Sequence, residues 1–295
     1  MFEGTNLLEF TKEFNSDASC KAYLSEIKSK DGFTCKKCGH TKYYKGKDYH
    51  RVCQKCYQKE SSTSGTIFHH LRFGLQKAFH IIFEMSTSSK GISSVQISKR
   101  YGITQKTAWY FMQKVRKSME SSTKFPMDGI VNVDEFVVGG KEDGKQGRSY
   151  DTKKVKAVIA VELTEKRKIK RAYIKQIDSY SAKSLRPIFE DHISKEAKVT
   201  TDKWKGYIPI KKEYNITQQL SKKGSNFKEL HIVIQTLKSW LRAIPTHISK
   251  EHVQKYFDEF CFRLNRSQFK KSIFDKVIHR MIAQEPFTFQ MIRCC

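Results

Sequence analysis

Four cysteines stand as two pairs, Cys35-x2-Cys38 and Cys53-x2-Cys56, with fourteen residues between the pairs. Each C-x2-C turn can put two thiolates on one ion, and two such turns complete a tetrahedral Zn2+ site. A site closed by four protein thiolates is structural and leaves no position open for a substrate. A redox C-x2-C pair is the alternative, and a second pair at this spacing argues against it. His40 and His50 could substitute as ligands, although they read better as surface residues. Cys20, Cys261, Cys294 and Cys295 lack ligand spacing and read as buried or incidental thiols.

Two acids suggest a second chemistry. Asp134 interrupts the apolar strand pattern VNVDEFVV, and Asp202 closes VTTD. Burying an acid is costly unless it is paired or bound to a metal. Acids at adjacent strand positions can share Mg2+ or Mn2+, with one ion activating an attacking oxygen and one the leaving oxygen. The plain alternative is that each Asp merely caps a loop at a strand end.

Residues 93–117, SSVQISKRYGITQKTAWYFMQKVRK, have the pattern of a helix-turn-helix. Ile97 and Tyr101 pair along a first helix, Gly102 opens the turn, and Ile103 plugs it. Thr104 caps a second helix that turns Ala108, Met112 and Val115 inward. Gln105, Lys106 and Thr107 then stand at the exposed start of that helix, where a recognition helix meets base edges. Tyr110, Lys114 and Arg116 could reach phosphates. A helical hairpin that only packs would share this pattern. The charge balance favours the DNA reading: 56 Lys plus Arg against 30 Asp plus Glu leave +26, which calls for a polyanionic partner.

These residues need elements to hold them. Residues 1–30 read as a helical lead-in, with Ser16 and Asp17 at the start of a helix that carries Ala18, Tyr23, Leu24 and Ile27. Residues 31–60 read as a zinc ribbon, in which TKYYKGKDYHRV would form a hairpin. SSTSGT at 61–66 is a polar hinge, and 67–120 read as three helices that include the helix-turn-helix. From Gly129 the pattern alternates, giving a strand to Gly139-Gly140 and a charged glycine-rich loop over 139–149. VKAVIAVEL (155–163) and RAYIKQI (171–177) read as strands, 181–194 as a helix, and AKVTTD (197–202) as a short strand. Helical periodicity returns near Glu229, with Leu230, Ile234, Leu237 and Leu241 on one face. The expectation is an α/β domain over 125–270, followed by a helical tail over 271–295.

Hydrophobic residues make up 38% of the 295, enough for a packed core and against wholesale disorder. No apolar run reaches the length of a membrane span, and the N-terminus lacks the apolar stretch of a secretion signal. The expected setting is the cytoplasm of a bacterium, associated with the nucleoid, or a eukaryotic nucleus. Either is reducing, so structural disulfides are not expected.

The order of motifs resembles a known family. C-x2-C twice, the helix-turn-helix, VDEF-x2-GG, TDKWKGY, NFKELH, LKSWLRA and HVQKYFDEFCFRLNR follow one another as in the zinc-ribbon DDE transposases of bacterial insertion sequences, which are related to eukaryotic Merlin elements. The likeness runs over about residues 7–266. It implies a ribonuclease H-like catalytic domain that cuts and transfers the DNA ends of a mobile element, acting as a homodimer on terminal inverted repeats and target DNA. It makes Asp134 and Asp202 the first two metal-binding acids. In the family an Asn or an acid follows five residues after the His of this block. Here that His is His231 and the position holds Thr236, while Lys238 matches the family's lysine and joins the DNA-contacting set. Three readings follow: water or Thr236 completes the metal shell, Glu229 or His231 substitutes, or this copy is a decayed, DNA-binding relative. Glu259 is a further candidate, with a core salt bridge as its plainer role. Lys141, Lys145 and Arg148 could hold the DNA backbone or form a solvated loop.

Overall fold

A computed structural model describes residues 2–30, 32–139, 154–244 and 248–293. Lys141, Lys145, Arg148, Cys294 and Cys295 lie outside the described residues. The chain divides into two compact units, Met1–Met119 with Gln268–Cys295, and Glu120–Ser267.

The first unit opens with α1 (Leu7–Glu13), capped by the Asn6 side chain, and α2 (Asp17–Lys30). The sequence pattern pointed to α2 and not to α1. A small antiparallel sheet follows, built from β1 (Tyr43–Lys45), β2 (Arg51–Cys53) and β3 (Lys59–Glu60). Its core is little more than Phe33, Cys35 and Cys53. A buried network ties this sheet to α2: Glu60 takes Lys28 Nζ and Arg51 NH2, each at 2.9 Å, and Arg51 NH1 also donates to the Lys28 and Gly32 carbonyls. Next come α3 (Leu75–Thr87), α4 (Ser94–Tyr101) and α5 (Gln105–Met119). A capping box starts α4: Ser93 Oγ accepts from Gln96 N at 3.1 Å, and Gln96 Oε1 accepts from Ser93 N at 3.0 Å.

The second unit is built on a five-stranded sheet. In chain order it contains β4 (Ile130–Val138), β5 (Val155–Leu163), β6 (Ile169–Ile177), α6 (Ala182–His192), β7 (Lys198–Thr201), β8 (Ile216–Gln218), α7 (Lys228–Arg242) and α8 (Val253–Leu264). The spatial order is β6-β5-β4-β7-β8. The first three strands are antiparallel neighbours, and β7 and β8 join parallel. Both faces are covered, so β5 is apolar almost throughout. Ala157, Ile159 and Val161 face α7 and α8, while Val158 and Ala160 face α6. The chain enters β4 through an anchored segment. Arg171 donates to the Phe125 and Pro126 carbonyls at 2.9 and 2.7 Å, and pairs with the fully buried Glu162.

The chain then returns to the first unit with α9 (Ile273–Ala283) and α10 (Phe289–Arg293). Phe274 of α9 sits amid an aromatic cluster of Phe2, Phe10, Phe14, Phe79 and Phe83. Among the described residues no helix is long and apolar enough to cross a membrane.

His192, at the end of α6, stacks on Tyr173 with ring centres 4.1 Å apart. Burial, and then the Lys175 charge, push its pKa down to about 4, against an opposing pull from Asp191. The unfolded chain takes up that proton near pH 6.5, where the folded chain does not. Stability should therefore fall as pH drops from about 6.5 to about 4, by at most about 3 kcal/mol, and level off below. Urea midpoints at neutral and acid pH check this. His192→Phe, which keeps the stack, should lose that part of the pH dependence; an unchanged slope would refute the assignment.

Candidate metal centres and the carboxylate notch

The cysteines come together as their spacing suggests. Cys35 and Cys56 Sγ are 3.5 Å apart, Cys38 and Cys53 Sγ are 3.6 Å apart, and all four sulfurs lie within 4.8 Å of one another. A disulfide would require about 2.0 Å. Four thiolates at about 2.3 Å from a tetrahedral ion stand about 3.8 Å apart, so the donor set and its size suit zinc. Burial works against ionisation of Cys35, but the Lys37 and Cys38 backbone N–H groups outweigh it and bring the thiol to about 6. That favours the thiolate a metal needs.

The second cluster lies in the five-stranded sheet. Oxygens of Asp134, Glu135 and Asp202 all fall within 4.8 Å of one another. The register explains how neighbours on one strand can share a site. β4 and β7 pair only as far as Val133↔Thr201, and the chain then bends away at Asp202. Beyond that point no strand among the described residues pairs with this edge of β4, and a notch forms at the end of β7. Asp134 reaches it from the α7 face and Glu135 from the α6 face. Asp202 is steadied by its own turn: Oδ1 accepts from Trp204 N at 2.9 Å, and Gln218 Nε2 donates to the Asp202 and Trp204 carbonyls, both at 3.0 Å.

Two further side chains aim into the notch. Tyr207 is fully buried, and its hydroxyl faces the carboxylates, Glu135 foremost, without meeting any of them in hydrogen-bond geometry. Burial first, then these charges, hold its ionisation well above the usual tyrosine range. Its placement depends on Gly206, where a Cβ would lie 2.6 Å from both Trp204 Nε1 and the Tyr180 carbonyl, which are themselves hydrogen-bonded at 2.8 Å. His231, on α7, sets Nε2 3.9 Å from Asp134 Oδ2, and that nitrogen is buried with no hydrogen-bond partner among the described residues. A Cβ at Gly224 would come within 2.9 Å of His231 Nε2, so the loop before α7 packs directly on the imidazole.

The other α7 candidates point elsewhere. Glu229 takes Arg167 Nε and NH2 at 3.2 and 3.3 Å, at the β5–β6 turn. Thr236 is exposed, and its hydroxyl donates to the Ile232 carbonyl of its own helix at 2.8 Å. Glu259 is buried on α8 beside Arg263 at 3.6 Å, the core pair anticipated as its plainer role. Lys238 is half-buried, and burial, then the Lys154 and Arg242 charges, lower its pKa.

On α5, Thr104 Oγ1 accepts from Thr107 N at 3.2 Å, and Gln105 Nε2 donates to Ser94 Oγ at 2.8 Å. Ala108, Met112 and Val115 are buried, so the side chains that follow the cap stand outward. Phe289 of α10 lies against two of them, 4.2 Å from the Tyr110 ring and 5.6 Å from Lys106 Nζ. Lys114 is partly buried, and that burial lowers its pKa; Arg116, expected to reach phosphates, is instead fully buried.

Sequence reasoning did not select Glu135 or Tyr207. Strand alternation places Glu135 opposite Asp134, and only the early end of β7 lets the two meet. Tyr207 follows Asp202 by five residues, in a stretch that reads as an ordinary loop.

The second unit is a mixed α/β domain in which Asp134 and Glu135 of β4 cluster with Asp202 at the end of β7. Residues 126–265, all within the second unit, match the family model of the ISXO2-like transposase domain. This part of the chain is thus a transposase domain of the DDE type found in insertion sequences, in agreement with the order of the motifs. No curated protein matches the chain.

Purified protein is expected to carry a single tightly held zinc, released when the thiols are modified and read with a metallochromic dye. Cys53→Ser should abolish it and unravel β1–β3, because a core this small cannot stand without the ion. Retention of zinc by that variant would exclude the four-thiolate site.

Proposed function

We propose that the chain is a transposase that binds double-stranded DNA at terminal inverted repeats and catalyses metal-dependent cleavage and strand transfer. The carboxylate notch inside the matched domain carries this reading. The strand order β6-β5-β4-β7-β8, three antiparallel and two parallel, supports a ribonuclease H-like fold. In this reading α4 and α5 form the helix-turn-helix, with Gln105, Lys106 and Thr107 toward bases and Tyr110 and Lys114 toward the backbone. The net charge of +26 supplies the attraction to a polyanion.

The residues at the notch have distinct tasks. Asp134 and Asp202 would hold Mg2+ or Mn2+, hard cations that prefer carboxylate oxygens. When bound, the metal supplies Lewis-acid activation of the attacking oxygen and charge neutralisation at the leaving one. His231 backs Asp134 from α7. Lys238, with Lys154 and Arg242, offers positive charge to a DNA backbone. A homodimer would bring two element ends together.

A second reading, a DNA-binding protein with an inactive catalytic domain, draws on Thr236. Its hydroxyl is turned back onto its own helix where the family has an Asn or an acid.

The two readings separate in a strand-transfer assay with a labelled element end, plasmid target and Mg2+ or Mn2+. Asp134→Asn and Asp202→Asn should each lower joining by at least about a hundredfold while gel-shift affinity stays level. Full cleavage by Asp134→Asn would refute the metal role. DNA binding without joining, in wild type and variants alike, would establish the inactive reading.

A further inference from the structure

We propose that Glu135 supplies the third metal-binding carboxylate of the notch, in place of a ligand from α7, and that Tyr207 orients it. This inference rests on the transposase reading and concerns how its site is completed.

The position expected to provide the third ligand does not do so. Thr236 is exposed, and its hydroxyl is engaged at 2.8 Å by the Ile232 carbonyl. Glu229 has the right chemistry but is taken by Arg167. Glu135 lies with Asp134 and Asp202 inside a 4.8 Å cluster. Three carboxylates form a donor set suited to Mg2+ or Mn2+, whereas a hydroxyl beside two carboxylates is a weak one.

Acids can cluster without a ligand, but two buried polar atoms mark this cluster as a site. The Tyr207 hydroxyl is fully buried and faces Glu135 first, His231 Nε2 lies 3.9 Å from Asp134 Oδ2, and neither atom meets a partner in hydrogen-bond geometry among the described residues. Buried polar groups are rarely left without a partner. Both atoms make sense beside a hydrated ion. The hydroxyl can donate to Glu135 as its carboxylate turns toward metal, and the imidazole can accept from an ordered water. The two also flank the notch from opposite faces of the sheet, Tyr207 on the Glu135 side and His231 on the Asp134 side. The notch therefore carries an orienting group for each neighbouring acid on β4.

The test is Mn2+ binding to the full-length, zinc-loaded protein without DNA, read from the signal of free Mn2+. Glu135→Gln should weaken binding at least about tenfold, since even outer-shell changes at metal sites cost that much. Thr236→Ala, at an exposed position, should stay within about twofold of wild type. Wild-type affinity in Glu135→Gln, or a tenfold loss in Thr236→Ala, would overturn the proposal. Should Glu135→Gln fail to fold, anomalous scattering from Mn2+-soaked wild-type crystals decides: an ion bonded to Glu135 upholds the inference, and an ion bonded to α7 instead of Glu135 refutes it. Strand transfer run in parallel separates the two levels. An active Glu135→Gln beside an inert Asp134→Asn removes Glu135 and leaves the transposase reading standing. Loss of Mn2+ binding in Glu135→Gln, with a wild type that cannot join DNA, does the reverse.

Discussion

Three carboxylates with oxygens inside 4.8 Å repel one another, and the second unit has to hold them together against that repulsion. At an effective dielectric of about 20, two unit charges at this distance cost about 3 kcal/mol. A divalent cation turns that cost into binding energy, so a fold that keeps the acids together in advance is prepared for metal. The rigidity comes from the neighbours. β4 is the central strand and is paired on both sides up to Val133, and its entrance is clamped through Arg171 and Glu162.

The loop after β7 contributes as much as the sheet. Asp202 accepts from Trp204 N, Trp204 donates to the Tyr180 carbonyl, and Gly206 lets the chain pass close enough to bury Tyr207 beneath the notch. Each step depends on the one before it. A side chain at Gly206 would break the Trp204 contact and displace Tyr207, with no direct effect on any acid. This explains why TDKWKGY behaves as one structural word.

The first unit solves a different problem. Its ribbon is too small for a hydrophobic core, and four thiolates with a buried Lys28–Glu60–Arg51 network take the place of one. The network fixes the ribbon against α2, whose other side chains belong to the main core of that unit. Breaking it would leave charges buried without partners, a heavier loss than an exposed ion pair. The outward face of α5 meets Phe289 through Tyr110 and Lys106.

The sequence by itself determined what depends on local periodicity and spacing. The C-x2-C pairs, the apolar run of β5, the cap and turn between α4 and α5, and an acid at Asp134 within a strand all follow from neighbours in the chain. So does the family, because its motifs are short and ordered. The short elements α1 and β8 were not legible, since a few residues of mixed polarity carry no period. Tertiary structure alone decided which side chains meet at the site. It turned Thr236 back onto its helix and gave Glu229 to Arg167. By ending β7 at Thr201, it opened the edge of β4 so that Asp134 and Glu135, which alternation sends to opposite faces, share one notch. Alternation holds within a paired sheet, and no local pattern announces where the pairing stops.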